Sequence, residues 1–126
     1  MEKQKILYID DEEINLELFK INFDNEYSIL TAGSAQQGLD LLKKETDIEV
    51  IISDLKMPGM SGIDFIEKIK SESPEKVCIL LTAFTEPDVL LRGLNNESVF
   101  RYILKPWKKN NLKKVITEAF ERSETV

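Results

Sequence analysis

The chain has 126 residues, 42% of them hydrophobic and 32% charged, which gives one domain with a single buried core and excludes disordered and fibrous classes. A net charge of −6 argues against a nucleic-acid-binding surface, and the absence of histidine removes the commonest general base and the commonest transition-metal ligand. The one cysteine, Cys78, lies within the apolar run VCILL and reads as buried and inert. Apolar runs are only strand-sized and the start, MEKQKILYID, lacks a signal-peptide core, so the expectation is a cytoplasmic protein with no membrane contact.

In chain order, KILYI (5–9) predicts a first strand that runs into Asp10, Asp11 and Glu12. Ile14, Leu18 and Ile21 follow at helical spacing. YSILTA (27–32) predicts the second strand. Ser34 with Gln37 then reads as a capping box for a helix carrying Ala35, Leu39 and Leu42. VIIS (50–53) predicts the third strand, which delivers Asp54 into the loop LKMPGMSG, where Pro58 pre-sets φ and Gly59 is free to take positive φ. Ser61 with Asp64 caps a helix with Ile63, Ile66 and Ile69. VCILLT (77–82) is the fourth strand and ends in Thr82. Thr85, Pro87 and Asp88 signal the start of a fourth helix with Val89, Leu90 and Leu94. FRYIL (100–104) is the fifth strand and ends at Lys105-Pro106. A last helix carries Leu112, Val115, Ile116 and Ala119.

Five strands alternating with five helices predict an α/β fold: a five-stranded parallel sheet in the order 2-1-3-4-5, a flavodoxin-like (βα)5 three-layer sandwich spanning residues 1–126 as one domain. The unalternating apolar strands agree, because a parallel strand is buried on both faces. Such sheets bind ligands beyond the carboxyl ends of the strands, where strand order reverses. The polar strand-end residues Asp10, Asp11, Asp54, Thr82 and Lys105 gather there.

Three carboxylates so close repel one another, and a divalent cation removes the conflict. An all-oxygen set with no histidine or cysteine favours a hard ion, Mg2+, held by Asp10, Asp11 and Asp54. Lys105 adds a mobile point charge for an anion and Thr82 a hydroxyl donor. Together they make a phosphoryl-transfer site in which Asp54 is the nucleophile.

The motifs YIDDEEIN, ISDLKMPGMSGIDF, LLTA and YILKPW, in that order and spacing, resemble the receiver domain of bacterial two-component response regulators, over nearly the whole chain from Lys5 to about Arg122. The resemblance implies that Asp54 is the phosphorylated aspartate and that a histidine kinase or phosphotransfer protein is the donor. It implies that Asp11 ligates Mg2+ directly, Asp10 partly through water, and Lys56 through its backbone carbonyl. Thr82 and Lys105 would contact the phosphate, Thr82 and Tyr102 would form a switch, and the Lys105-Pro106 peptide bond would be cis. The chain would then be no metabolic enzyme. It would catalyse only its own phosphorylation and dephosphorylation, and signal through the fourth helix, fifth strand and last helix to an output domain or downstream protein. That surface is also where a homodimer would form. The stretch NNESVFRYILKPW departs from the Gly-Ala pair that many members carry before the switch aromatic, and resembles receivers attached to outputs such as cyclic-di-nucleotide enzymes or kinases.

Three rivals share parts of this pattern. A Mg2+-dependent phosphohydrolase also forms an aspartyl phosphate, but needs an acid two residues after the nucleophile, where this chain has Lys56. A flavodoxin-like electron carrier needs a Ser/Thr/Gly-rich phosphate loop after strand 1, and DDEEIN repels phosphate instead. A silent, binding-only receiver does not need the full set Asp10, Asp11, Asp54, Thr82 and Lys105. The lysines at 108, 109, 113 and 114 read by default as a solvated helix face.

Overall fold

Runs rich in Ile, Val, Leu and Tyr form strands where sequence pattern places them, each within a residue of its predicted bounds. The computed structural model describes residues 3–83 and 96–124. Its elements are β1 (Lys5–Ile9), α1 (Glu13–Phe23), β2 (Ser28–Ala32), α2 (Ala35–Lys44), β3 (Val50–Asp54), α3 (Gly62–Glu72), β4 (Val77–Thr82), β5 (Arg101–Leu104) and α4 (Lys109–Glu124). The five strands are all parallel, in the order β2-β1-β3-β4-β5. The predicted helix carrying Val89, Leu90 and Leu94, with its Thr85 cap, lies outside the described residues.

Strand periodicity divides the core into two layers. Leu7, Ile9, Ile51, Cys78 and Leu80 face α2 and α3 with Leu39, Ile63, Phe65 and Ile66. Ile6, Tyr8, Val50, Ile52, Ile79 and Leu81 face α1 and α4 with Phe19, Phe23, Leu112 and Ile116. The three central strands are buried along nearly their whole length, whereas β2 and β5, at the sheet edges, are partly exposed. None of the described helices is long and apolar enough to cross a membrane.

The two predicted caps that fall within the described residues both form. Ser34 Oγ accepts from the Gln37 N–H at 3.2 Å, and Gln37 Oε1 reaches back one residue beyond the cap to accept from the Gly33 N–H at 2.8 Å. Ser61 Oγ accepts from the Asp64 N–H at 3.2 Å. The spacing of Ile14, Leu18 and Ile21 locates α1 correctly but does not mark its buried face: these side chains are 66%, 48% and 70% exposed. Phe19 and Phe23, a second i, i+4 pair, take the inward side, because two aromatic rings bury more apolar area than the aliphatic stripe would.

Two glycines shape the loop between β3 and α3. Gly59 has φ of +83°, the left-handed region that the tight turn after Pro58 requires. Gly62 is the first residue of α3, and a Cβ there would overlap the carbonyl oxygen of Asp54 and come within 2.9 Å of Leu80 Cδ1. The Gly62 N–H also donates to the Leu55 carbonyl at 2.8 Å, so the start of α3 is clamped against the strand end that carries Asp54. Gly62→Ala should therefore destabilise the protein by about 1–3 kcal/mol or more, the usual cost of overpacking. Equilibrium urea unfolding measures this, and a parental midpoint would mean that α3 shifts away at no cost.

Candidate functional site

Parallel register brings the strand ends level. Ile9 pairs with Ser53, Asp54 with Leu81, and Thr82 with Leu104. Backbone bonds carry the pairing one step further. The Leu55 N–H donates to the Leu81 carbonyl at 2.9 Å, and the Lys105 N–H to the Thr82 carbonyl at 2.9 Å. Asp10, Asp54, Thr82 and Lys105 thus reach one edge of the sheet from four adjoining strands, and Asp11 stands beside Asp10 at the rim. A cleft of about 300 Å3 opens there, lined by Asp11, Glu12, Asp54, Leu55, Lys56, Thr82, Ala83 and Lys105.

Asp10 is fully buried and Asp54 is 8% exposed, so both carboxylates need donors. Asp10 Oδ1 accepts from the Glu12 N–H at 3.0 Å. Its Oδ2 accepts from Lys105 Nζ at 3.3 Å and from the Tyr8 hydroxyl at 3.4 Å. Asp54 Oδ1 accepts from the Leu55 N–H at 3.0 Å and pairs with Lys105 Nζ at 3.3 Å. The bonds that reach Asp54 from the described residues all fall on Oδ1. The Lys105-Pro106 peptide bond is cis.

Asp10, Asp11 and Asp54 offer carboxylate oxygens within 4.8 Å of one another. Hard oxygen donors at that separation, one of them exposed to solvent, fit an ion such as Mg2+ that binds few protein ligands and keeps its waters. Lys56 is exposed on the cleft wall. Thr82 is 2% exposed, at the end of β4. Tyr102 pairs with Leu80 on β4 and packs on the same side of the sheet, two residues back from Thr82. Its buried hydroxyl has no hydrogen-bond partner among the described residues.

Tyr8 is a residue of the site region that the sequence does not mark, whereas Trp107, which the sequence leaves evenly between a structural plug and a contact, packs in the core beside it. Tyr8 lies two residues before Asp10, and the period of a strand puts both on one face; that spacing was the available signal. Trp107 packs edge-on to Phe19, with ring centres 6.2 Å apart, and against Phe23 at 5.8 Å. Cys78 is buried as expected, and burial pushes its thiol pKa up to about 12. Of the terminal lysines, Lys113 binds Glu26 at 2.8 Å.

Burial raises the Asp54 pKa above the ordinary aspartate value; Lys105 pulls it back and the Asp10 charge adds to the rise. Burial alone would lower the Lys105 pKa, but the carboxylates of Asp54 and Asp10 outweigh it and hold the ammonium above the ordinary lysine value. A carboxyl whose pKa is raised by folding stabilises the fold only when protonated. That contribution is complete below the unfolded pKa and is lost as pH rises through the folded one. At pH 7 the charged Asp54 therefore works against folding. Lys105 acts on the alkaline side, where its contribution disappears as pH rises through its own raised pKa. Without divalent cations, Asp54→Asn should melt above the parent at pH 7, and the gap should close as pH falls toward about 4, the ordinary aspartate range. Calorimetric melting across that range checks this; a variant that melts below the parent at pH 7 contradicts it.

Residues 6–117 match the family described as the response regulator receiver domain. The chain is 31% identical over 116 residues to the hydrogenase transcriptional regulatory protein HoxA of Cupriavidus necator, covering 92% of this chain and 24% of HoxA. The chain thus spans about a quarter of that relative's length. A response regulator receiver domain protein of Clostridium thermocellum superposes with a TM-score of 0.90 at 33% identity, covering 97% of this chain and 98% of that one. TrrA of Thermotoga maritima, a response regulator protein solved in complex with Mg2+-BeF, superposes with a TM-score of 0.81 at 27% identity, over 92% of this chain and 98% of TrrA. With its strand order and its carboxyl-end acidic cluster, the chain belongs to the response regulator receiver domain family.

Proposed function

We propose that this chain is a phosphoacceptor. Asp54 takes a phosphoryl group from a histidine kinase or phosphotransfer protein in a Mg2+-dependent reaction, and the phosphorylated form presents an altered surface to an output domain or downstream protein. The observation that carries this reading is the divided environment of Asp54: Oδ1 is held by the Leu55 N–H and by Lys105, while no bond from the described residues falls on Oδ2, the oxygen we assign as the acceptor. The backbone of β3 fixes that oxygen, so it needs no reorganisation to meet a phosphorus atom in line.

Asp54 Oδ2 forms the new O–P bond as the bond to the donor nitrogen breaks, and the bonding pair leaves with that nitrogen. Mg2+, held by Asp10, Asp11, Asp54 and the Lys56 backbone carbonyl, supplies positive charge to the phosphoryl oxygens when bound. Lys105 is already beside the acceptor and needs only a side-chain rotation to reach an added phosphoryl group. Thr82 offers its hydroxyl from the end of the neighbouring strand. The Mg2+-BeF complex of TrrA supports the same cation and a phosphoryl-like group here. Lys56 stands where a phosphohydrolase needs its leaving-group acid, so the activity is confined to the chain's own phosphorylation and dephosphorylation. Residues 1–126 act as one receiver unit, in the cytoplasm with the partner kinase. The exposed stripe of Ile14, Leu18 and Ile21 on α1 gives a protein donor an apolar footing that begins beside the acidic pair.

The switch runs through Thr82 and Tyr102. A phosphoryl group on Asp54 is a new acceptor toward which Thr82 moves. Tyr102, on the same face and with its hydroxyl unpartnered among the described residues, follows into the vacated space. The output face comprises residues 86–95, which lie outside the described residues, together with β5 and α4. It also offers a homodimer its contact surface. The coupling between phosphorylation and this face should be about 1–3 kcal/mol.

Incubation with acetyl phosphate and Mg2+ should add one hydroxylamine-labile phosphate. Excess chelator or Asp54→Asn should abolish it, and labelling that survives either change refutes the reading. Thr82→Ala should still accept phosphate but respond weakly. In NMR spectra with beryllofluoride, the parent should show shifts across residues 86–102 and 107–120 that shrink in the variant. Shifts confined to the loops at Asp10, Asp54 and Lys105 in the parent would place the output face elsewhere.

A further inference from the structure

We infer that Tyr8 is a positioning residue of the acidic site: its buried hydroxyl donates to Asp10 Oδ2 and fixes the orientation of that carboxylate within the acidic cluster. The inference rests on the reading of Asp10, Asp11 and Asp54 as the metal site. Asp10 is wholly buried, so its orientation is set by its donors and not by solvent. Three donors reach it from the described residues. The Glu12 N–H holds Oδ1. Oδ2 is shared by Lys105 and Tyr8.

These two donors differ in what else they must do. Lys105 is equidistant from Asp10 and Asp54, at 3.3 Å from each, and 23% of its side chain is exposed. Any anion arriving at Asp54 competes for its ammonium and draws it off Asp10. The Tyr8 hydroxyl has no such rival. Tyr8 is fully buried, and its ring stacks on Phe19 with centres 4.3 Å apart and planes 9° from parallel. At 3.4 Å the bond is long, and its importance comes from geometry: the stacked, buried ring holds the hydroxyl oxygen beside Asp10. Donors behind a metal ligand commonly change metal affinity by 10–100-fold when removed.

Tyr8→Phe keeps the ring and deletes the oxygen. Mg2+ titration followed by backbone amide shifts, which need no phosphorylation, should show binding weakened by about tenfold, with little change in melting temperature. Phe19→Leu disturbs the stack but leaves the hydroxyl, so it should lower the melting temperature and bind Mg2+ within about twofold of the parent. Tyr8→Phe binding within twofold of the parent overturns the inference, whatever happens to stability. So does Phe19→Leu losing as much affinity as Tyr8→Phe, since packing and not the hydroxyl would then be responsible. If the parent itself shows no saturable Mg2+-dependent shift near Asp10 and Asp54, the metal reading fails first and the role of Tyr8 falls with it.

Discussion

Two buried carboxylates, Asp10 and Asp54, share one ammonium, that of Lys105, at 3.3 Å from each. Two negative charges and one positive in a largely water-excluded cleft are not balanced. The remaining negative charge is what the site is built around, because it favours a cation and keeps Asp54 ionised only at a cost in stability. The neighbours of the two carboxylates follow from that constraint. The N–H groups of Glu12 and Leu55 are aimed at carboxylate oxygens, and backbone donors placed there need no rearrangement when a charge is added or moved.

The rest of the molecule holds those groups level. In a parallel sheet, adjoining strands end side by side, so four loops present their first residues to one small volume. The alignment is tight enough that the first residue of α3 must lack a Cβ, or it would collide with the carbonyl of Asp54. The helices on the two faces have different duties. α2 and α3 pack with Leu39, Phe65 and Ile66 beneath the loop that follows Asp54. α1 and α4 enclose the aromatic group of Tyr8, Phe19, Phe23 and Trp107, which lies directly under Asp10.

Strand positions, the parallel sheet and the acidic cluster were legible in the sequence because each rests on a local signal: unalternating apolar runs, alternation with helices, and polar residues where the runs stop; the strand order 2-1-3-4-5 came instead from the flavodoxin-like fold class that this alternation suggests. The facing of α1 was not legible. Ile14, Leu18 and Ile21 and the pair Phe19 and Phe23 both have helical spacing, and only tertiary packing decides which set goes inside. Gly62 reads as a loop glycine until the distance between α3 and β3 is known. Tyr8 reads as an ordinary strand aromatic; its hydroxyl matters because Asp10, two residues on, is buried beside it. In each case the missing information is a distance between elements, which spacing along the chain does not carry.

The sharing of Asp10 Oδ2 gives these features a common direction. As long as Lys105 is divided between Asp10 and Asp54, the two carboxylates are electrostatically one unit. A phosphoryl group on Asp54 would add negative charge on that side only, and the ammonium, free to rotate on a four-carbon stem, would follow it. Asp10 would then lose its mobile partner and keep its fixed ones, the Glu12 N–H and the Tyr8 hydroxyl. The division between one mobile donor and several rigid ones lets the cleft change its charge distribution without releasing a buried carboxylate from all of its partners. The rigid donors are anchored in β1 and the α1 side of the core, whereas Thr82 and Tyr102 lie on β4 and β5. Any movement that followed would be directed toward the β5 edge of the sheet, where the strand is half-exposed.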